Sequence, residues 1–198
     1  MDPKKVLSID IGIINLGYVF AELSETVNVL ECNRINITHM KHNKVNRCDC
    51  KLHHDFCIPD YIDHFVQEYF HLFNEADVIL IERQPPMGLQ SLQELLFIKF
   101  REKVRLVNPC SIHKFFKMTK CDYDLRKIES ETIAKEYLNT FISFNGNERK
   151  HDISDAMLMV LHYFKTTKVI PLVPLIQKRI EPRLDNFMDF EKFRFVKV

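Results

Sequence analysis

The sequence lacks the long apolar runs that a membrane protein needs. No stretch of the 198 residues approaches the roughly 18 to 20 consecutive apolar residues of a membrane-spanning helix. An excess of one charge is also missing, because 28 Lys and Arg residues against 27 Asp and Glu residues give a formal net charge of +1. This balance excludes a uniformly basic nucleic-acid coat. Hydrophobic residues make up 46% of the chain, which excludes global disorder and predicts a real core.

The beginning of the chain has no long apolar region with a small-residue cleavage site. We therefore expect residues 6–11 to form a first strand rather than a signal peptide. The six cysteines favour free thiols or metal ligands over a disulfide framework. The sequence shows no internal repeat and no low-complexity tract. Together these features predict one intracellular globular domain.

Charge is unevenly distributed along the chain. Residues 59–98 carry seven acidic residues and one basic residue, whereas residues 99–127 carry nine basic and three acidic residues. Residues 165–198 carry eight basic residues against four acidic ones. This asymmetry favours a polyanion that approaches one side of the molecule, although a solvated helix face with mixed charges explains the same counts.

The basic segment 99–127 contains the residues that we expect to contact phosphates. The candidates for DNA binding are Lys114, Lys117, Lys120, Arg126 and Lys127. Three aromatic residues lie among these cations: Phe115, Phe116 and Tyr123. Each of the three is either a core residue or a platform on which an unpaired base stacks.

Hydrophobic periodicity predicts an α/β layer fold, in which an antiparallel meander of three strands precedes alternating helices and strands. The first three strands are expected at 6–11, 18–23 and 27–37. Later strands are expected at 77–81 and 104–107; the former lacks alternation, which is typical of a strand covered on both faces. The predicted helices span 61–74, 91–101, 111–116, 129–141 and 152–165, with a loop at 118–127 and a linker at 144–150.

Four acidic residues stand at the ends of apolar elements. Asp10 interrupts the first strand, Glu82 ends the run Val-Ile-Leu-Ile-Glu, and Asp152 and Asp155 open the last helix on one of its faces. Buried carboxylates require a compensating cation or proton. Oxygen ligands suit Mg²⁺ or Mn²⁺, and two such ions support phosphodiester cleavage. The four acids therefore predict a catalytic metal site.

Each acid also has a plain structural explanation. Asp152 is a candidate helix cap, and Asp155 is favourable in a first helical turn. Asp10 fits a strand-end turn, and Glu82 fits an ion pair with Arg83 or with a lysine. The occurrence of all four in this order favours one shared site over four separate explanations.

The motifs around these acids resemble those of the RuvC-like Holliday junction resolvases. They are Ser-Ile-Asp-Ile-Gly, Ile-Leu-Ile-Glu-Arg-Gln and Asp-Ile-Ser-Asp-Ala. The intervening Val-Arg-Leu-Val-Asn-Pro-Cys-Ser and Leu-Arg-Lys-Ile-Glu-Ser-Glu are similar to the branch found in poxviruses, other large DNA viruses and mitochondria. The resemblance extends over residues 6–164.

This resemblance implies an RNase H-like fold with a mixed five-stranded sheet. It also implies a homodimer that uses Mg²⁺ to make paired symmetric nicks across a four-way DNA junction. The metal-binding catalytic acids would be Asp10, Glu82, Asp152 and Asp155. The nuclease domain would span 1–165 with an insertion at 38–58, followed by a C-terminal extension at 166–198. A viral member would work at cytoplasmic replication sites, and any other in an organelle or the nucleus.

Two other functions remain open. The same acids would serve a nuclease that cuts an RNA–DNA hybrid, a flap or a replication intermediate. A non-catalytic, zinc-containing module that binds nucleic acid is the other alternative. The retention of all four acids favours an enzyme.

The insertion holds a dense group of potential zinc ligands. Cys48, Cys50, His53, His54 and Cys57 lie within ten residues. Structural zinc takes four tetrahedral Cys or His ligands, so the three cysteines with one of the two histidines complete a set. His39 and His42 are outside candidates, and a cluster of reduced thiols is the alternative. We predict one structural Zn²⁺, separate from the catalytic Mg²⁺.

Overall fold

The computed structural model describes residues 3–38 and 57–169. The predicted zinc ligands Cys48, Cys50, His53 and His54 lie outside the described residues, as does nearly all of the predicted C-terminal extension. Cys57 is described, as a half-buried free thiol that immediately precedes the first helix. In the described part, no helix combines the length and the apolar character needed to cross a membrane.

A mixed five-stranded sheet organises the domain. Its spatial order is β3-β2-β1-β4-β5. The first three strands pair in antiparallel fashion, whereas β4 is parallel to β1 and β5 is parallel to β4. This arrangement confirms the predicted sheet. The strands are β1 (Lys4–Asp10), β2 (Leu16–Leu23), β3 (Val27–Ile35), β4 (Val78–Glu82) and β5 (Val104–Val107).

Helices cover both faces of the sheet and enclose two hydrophobic clusters. One face carries α1 (Ile58–Glu68), α2 (Phe70–Glu75) and α3 (Gln90–Lys99). The other face carries α4 (Pro109–Phe115), α5 (Tyr123–Leu138), α6 (Ile142–Asn145) and α7 (Lys150–Val169).

Strand alternation decides which face each side chain joins. Leu7 and Ile9 pack with α1 to α3, whereas Val6 and Leu80 pack with α7. Because side chains alternate along a strand, Asp10 and Glu82 share the face of Val6 and Leu80. The two strand acids therefore point towards α7.

The predicted single helix over 61–74 is wrong, because the structure has two helices there. Tyr69 leaves helical geometry, with φ −104° and ψ 25°, between α1 and α2. Its ring packs against Tyr18 and Phe65, with ring centroids 5.4 and 5.5 Å away. The apolar spacing on both sides of Tyr69 is helical, so periodicity alone does not show the break.

The predicted limits of the helices that became α5 and α7 are also wrong, and the short helix α6 was not predicted. The segment 118–127, expected as a loop, contains the start of α5, where the Asp122 carboxylate accepts a hydrogen bond from the Leu125 amide at 2.8 Å. The expected linker at 144–150 overlaps the end of α6 and the start of α7. Because α7 begins at Lys150, Asp152 lies inside its first turn rather than at its cap.

A lysine occupies the left-handed position that ends α4. Lys117 has φ 60°. The Met118 amide donates to the His113 carbonyl at 2.7 Å, and the Lys117 amide donates to the Lys114 carbonyl at 3.2 Å. These two hydrogen bonds form a Schellman motif, in which the left-handed residue is usually glycine. Burial of Met118 in the core beside α7 holds the turn in place.

We expect Lys117→Gly to stabilise the protein by about 1 kcal/mol, because glycine adopts this conformation without the steric cost of a Cβ. For a domain of this size the melting temperature should rise by about 2–4 °C. Lys117→Ala is the matched control, since it removes the same charge but keeps the Cβ. Equal melting temperatures for the two variants in a thermal denaturation would contradict this explanation.

Candidate active site

The carboxyl groups of Asp10 and Glu82 meet at one edge of the sheet. In the parallel pairing of β1 with β4, Ile9 lies opposite Ile81, so the two acids follow at the carboxyl ends of adjacent strands. Their side chains form a hydrogen bond with each other. Glu82 therefore pairs with another acid rather than with Arg83, which is exposed.

The last helix adds Asp155 to this pair. The three acids line a cleft that holds about 360 Å³ of empty space, part of it open to solvent. The rest of its wall comes from α4, α5 and α7: Pro109, Ile112, His113, Ser130, Leu158 and Met159. Three of the four acids predicted for the site thus share one cleft.

The fourth predicted acid, Asp152, is turned towards basic neighbours and does not line the cleft. Its side chain is only 9% exposed, with Oδ2 at 3.1 Å from Nε of Arg149 and Oδ1 at 3.3 Å from Nε2 of His151. Its negative charge still raises the pKa values of Asp10 and Asp155. Asp152 therefore belongs to the electrostatic environment of the cleft.

Burial raises the pKa values of the cleft carboxyls. Desolvation raises the pKa of Asp10 well above its usual range, and the charges of Asp155 and Glu82 raise it further. Desolvation also raises the pKa of Glu82, although its hydrogen bond with Asp10 opposes the change. Burial raises the pKa of Asp155 to about 7, against the effect of a hydrogen bond with Ser130.

The donor set of the cleft suits a hard divalent cation, because it consists of carboxylate oxygens, which are the ligands that such cations prefer. Over 3–38 and 57–169, however, no three His, Cys, Asp or Glu side chains already stand in an arrangement that would hold a metal ion. Asp10 and Glu82 are hydrogen-bonded to each other, and Asp152 is bound to Arg149. Occupancy of the cleft by a cation therefore requires loss of the shared proton and movement of these side chains.

Gly17 brings the first turn of α7 close to Asp10. A Cβ on Gly17 would overlap the backbone carbonyl of Asp152 and lie 2.9 Å from the backbone nitrogen of Ile153. Gly17 is also the residue of β2 that pairs with Asp10. The missing side chain thus lets the helix reach the strand end that carries Asp10.

Sequence reasoning did not identify Gly17, Ser130 or His113 as residues of the site. Ser130 lies within the motif Leu-Arg-Lys-Ile-Glu-Ser-Glu, which indicated only the family resemblance, and the segments of Gly17 and His113 contain no motif that singles them out. Arg149 and His151 were also missed, although they precede Asp152 by three residues and by one residue in the sequence. That adjacency was the one available signal.

The predicted DNA-binding cations lie on the elements that wall the cleft. Lys114, Lys117 and Lys120 are exposed, and none of them forms an ion pair with an acid of the described part. The Arg126 guanidinium donates to the Cys121 carbonyl at 3.2 Å. The Lys127 ammonium lies close enough to lower the pKa of Asp155.

The raised pKa of Asp155 predicts how stability depends on pH when no divalent cation is present. A carboxyl with a higher pKa in the folded state binds more protons there, so the free energy of unfolding falls as the pH rises from about 4 to about 7. Asp155→Asn should therefore raise the melting temperature at pH 8 by at least about 2–4 °C and flatten its pH dependence over this interval. Asp124→Asn, at an exposed position, is the control. Parallel pH profiles for wild type and Asp155→Asn would refute the assignment.

A family profile matches this sequence, and several solved structures are similar to this fold. The sequence profile of the family described as Poxvirus A22 protein matches residues 4–167. The fowlpox virus resolvase, solved with its substrate Holliday junction DNA, is 18% identical with a TM-score of 0.59, over 82% of this chain and 98% of that chain. No curated protein sequence shows significant similarity to this chain.

Two cellular proteins have similar structures. The yeast mitochondrial Holliday junction resolvase is 21% identical with a TM-score of 0.53, over 82% of this chain and 79% of that chain. RuvC of Thermus thermophilus, in complex with a Holliday junction, is 14% identical with a TM-score of 0.52, over 83% and 96%. These matches confirm the predicted RNase H-like resolvase fold. The family profile covers most of the chain, and the protein therefore belongs to the poxvirus A22 protein family.

Proposed function

We propose that this protein is a homodimeric, metal-dependent endonuclease that resolves four-way DNA junctions by paired symmetric nicks. The observation that carries the proposal is the cleft in which Asp10, Glu82 and Asp155 meet at the ends of two parallel strands. Membership in the poxvirus A22 family supports it. The fowlpox and Thermus proteins were both solved with junction DNA, which supports the same class of substrate here.

In this proposal Asp10, Glu82, Asp152 and Asp155 hold the divalent cations, Mg²⁺ or Mn²⁺. Two such ions activate a water molecule and stabilise the leaving oxygen of a phosphodiester. Asp10 and Glu82 would serve as ligands in their deprotonated forms, with the proton of their hydrogen bond released to solvent. Ser130 orients the Asp155 carboxylate through their hydrogen bond, whereas Asp152 would have to leave its ion pair with Arg149 to become a ligand.

The phosphate backbone is bound by Lys114, Lys117, Lys120, Arg126 and Lys127. These residues lie on α4, on the turn after it and at the start of α5. The same two helices contribute Ile112 and Ser130 to the cleft wall. A DNA strand whose phosphates are bound by these cations therefore passes the carboxylates of the cleft. Such contacts supply affinity and register without reading bases.

Paired nicks require two copies of the cleft. A four-way junction presents two equivalent strands, and one cleft acts on one strand at a time. A homodimer with two-fold symmetry matches this substrate symmetry. The poxvirus family supports viral replication sites in the cytoplasm as the setting.

The proposal is tested by incubating the purified protein and Mg²⁺ with labelled four-way, flap, RNA–DNA hybrid and linear substrates. We expect symmetric cuts in the four-way junction. Asp10→Asn and Glu82→Gln should each slow cleavage on the order of a thousandfold, because several kcal/mol of transition-state charge stabilisation are lost. Both variants should still fold and bind the junction.

Asp124→Asn is the matched control, since this acid is exposed in the first turn of α5 and should leave the rate unchanged. Preferred cleavage of a flap or a hybrid would assign the same acids to another substrate. Binding without cleavage by the wild type would favour the non-catalytic module. Cleavage at the wild-type rate by Asp10→Asn would refute the catalytic assignment.

We also propose one structural Zn²⁺ per chain, bound by Cys48, Cys50, Cys57 and either His53 or His54. Four Cys and His ligands leave no open position for a catalytic water.

Elemental analysis should find about one zinc per chain, which Cys48→Ser or Cys57→Ser should remove. The sheet should still fold, because its core comes from other segments. Cys110→Ser, at an exposed thiol on α4, should retain the metal. Zinc that persists in both ligand variants would rule out this site.

A further inference from the structure

Three aromatic residues lie within the basic segment beside the cleft, and the structure gives them different surroundings. Phe116 is partly buried and packs against the core. Phe115 makes edge-on contacts with Phe116 and His162, with centroid distances of 5.0 and 5.3 Å. Tyr123 is 62% exposed and belongs to neither hydrophobic cluster. Packing therefore explains Phe116, whereas Phe115, which is 38% exposed, is held by its ring contacts and Tyr123 is the most exposed of the three.

Tyr123 stands on the side of α5 that leads into the cleft. Tyr123, Lys127 and Ser130 follow the spacing i, i+4, i+7, which places them on one helix face. Ser130 lines the cleft and hydrogen-bonds with Asp155. At 1.5 Å per residue, Tyr123 lies about 10 Å from Ser130 along the helix axis. A DNA strand with one phosphate in the cleft therefore passes Tyr123 within a few nucleotides of that phosphate.

Two cations accompany the Tyr123 ring. The ammonium of Lys127 lies 4.1 Å from the ring centroid, at a distance that favours a cation–π interaction and restrains the ring. Arg149, which binds Asp152, is close enough to interact electrostatically with Tyr123. Phosphates are attracted to these cations, so the bases attached to those phosphates arrive next to an exposed aromatic surface.

We propose that Tyr123 forms a nucleobase-stacking subsite at the mouth of the cleft, which takes an unpaired base beside the scissile phosphate. This inference rests on the proposed nuclease function and deepens it. Bases at the centre of a branched junction are free to stack, whereas those of a linear duplex must first leave their neighbours. Stacking tolerates every base, so the subsite selects branched DNA over linear DNA without adding a sequence preference.

The test uses four-way junctions with 2-aminopurine on either side of the cleavage position that the wild type defines. Binding is measured without divalent cations, so that the substrate stays intact. We expect the wild type and Tyr123→Phe to change the probe's fluorescence through stacking, and Tyr123→Ala to lose most of that change. Tyr123→Ala should also bind the junction about tenfold more weakly while binding a linear duplex unchanged.

Phe70→Ala is the matched control, because Phe70 is 60% exposed but lies on α2, across the sheet from the cleft. It should leave both the fluorescence change and the affinity intact. A plot of the logarithm of the association constant against the logarithm of the salt concentration has a negative slope. Lys127→Ala should make that slope shallower by about 0.9, the value for one lost phosphate contact. Tyr123→Ala should leave that slope unchanged.

A full fluorescence change in Tyr123→Ala would overturn the stacking subsite, as would a reduced salt slope, which would mean that Tyr123 acts only through Lys127. Either result, obtained with a wild type that cuts junctions, leaves the proposed nuclease function intact. A wild type that neither binds nor cuts junctions refutes that function, and the subsite with it.

Discussion

The mutual repulsion of buried carboxylates is the constraint on which the site depends. Asp10, Glu82 and Asp155 share a desolvated cleft, where like charges cannot all ionise without compensation. In the metal-free protein the compensation comes from a shared proton between Asp10 and Glu82 and from the Ser130 hydrogen bond to Asp155. Apolar side chains would be more stable at these positions, so the acids of the cleft lower the stability of the fold.

The sheet and α7 together hold the carboxylates in place against this repulsion. Strand alternation directs Asp10 and Glu82 to one face, and the parallel register sets them side by side. The middle of α7 is buried in the core and fixes the helix on that face. Its first turn comes within reach of Asp10 because Gly17 has no side chain. A rigid scaffold therefore places the acids, and the proposed binding of a cation would require only their side chains to move.

The charge asymmetry of the sequence corresponds to the two sides of the sheet. The acidic stretch 59–98 supplies α1 to α3, which cover the face opposite the cleft. Much of the basic stretch 99–127 supplies α4, the turn after it and the start of α5, on the cleft side. A polyanion is attracted to the cleft side and repelled from the other. The protein therefore has a net charge near zero, although its acidic and basic segments lie on opposite sides of the sheet.

The sequence by itself determined the strands, the α/β class and the order of the four acids, because strand alternation and apolar runs are local patterns. It also indicated all three acids that line the cleft, since each stands at the end of a strand or near the start of a helix. Only the tertiary structure decided that Asp152 turns to Arg149, that Ser130 meets Asp155, and that Gly17 lies under the first turn of α7. The contacts made by Ser130 and Gly17 join residues far apart in the chain, which leave no periodic trace in either segment. The break between α1 and α2 at Tyr69, whose ring contacts Tyr18 on another element, also leaves no trace in the periodicity.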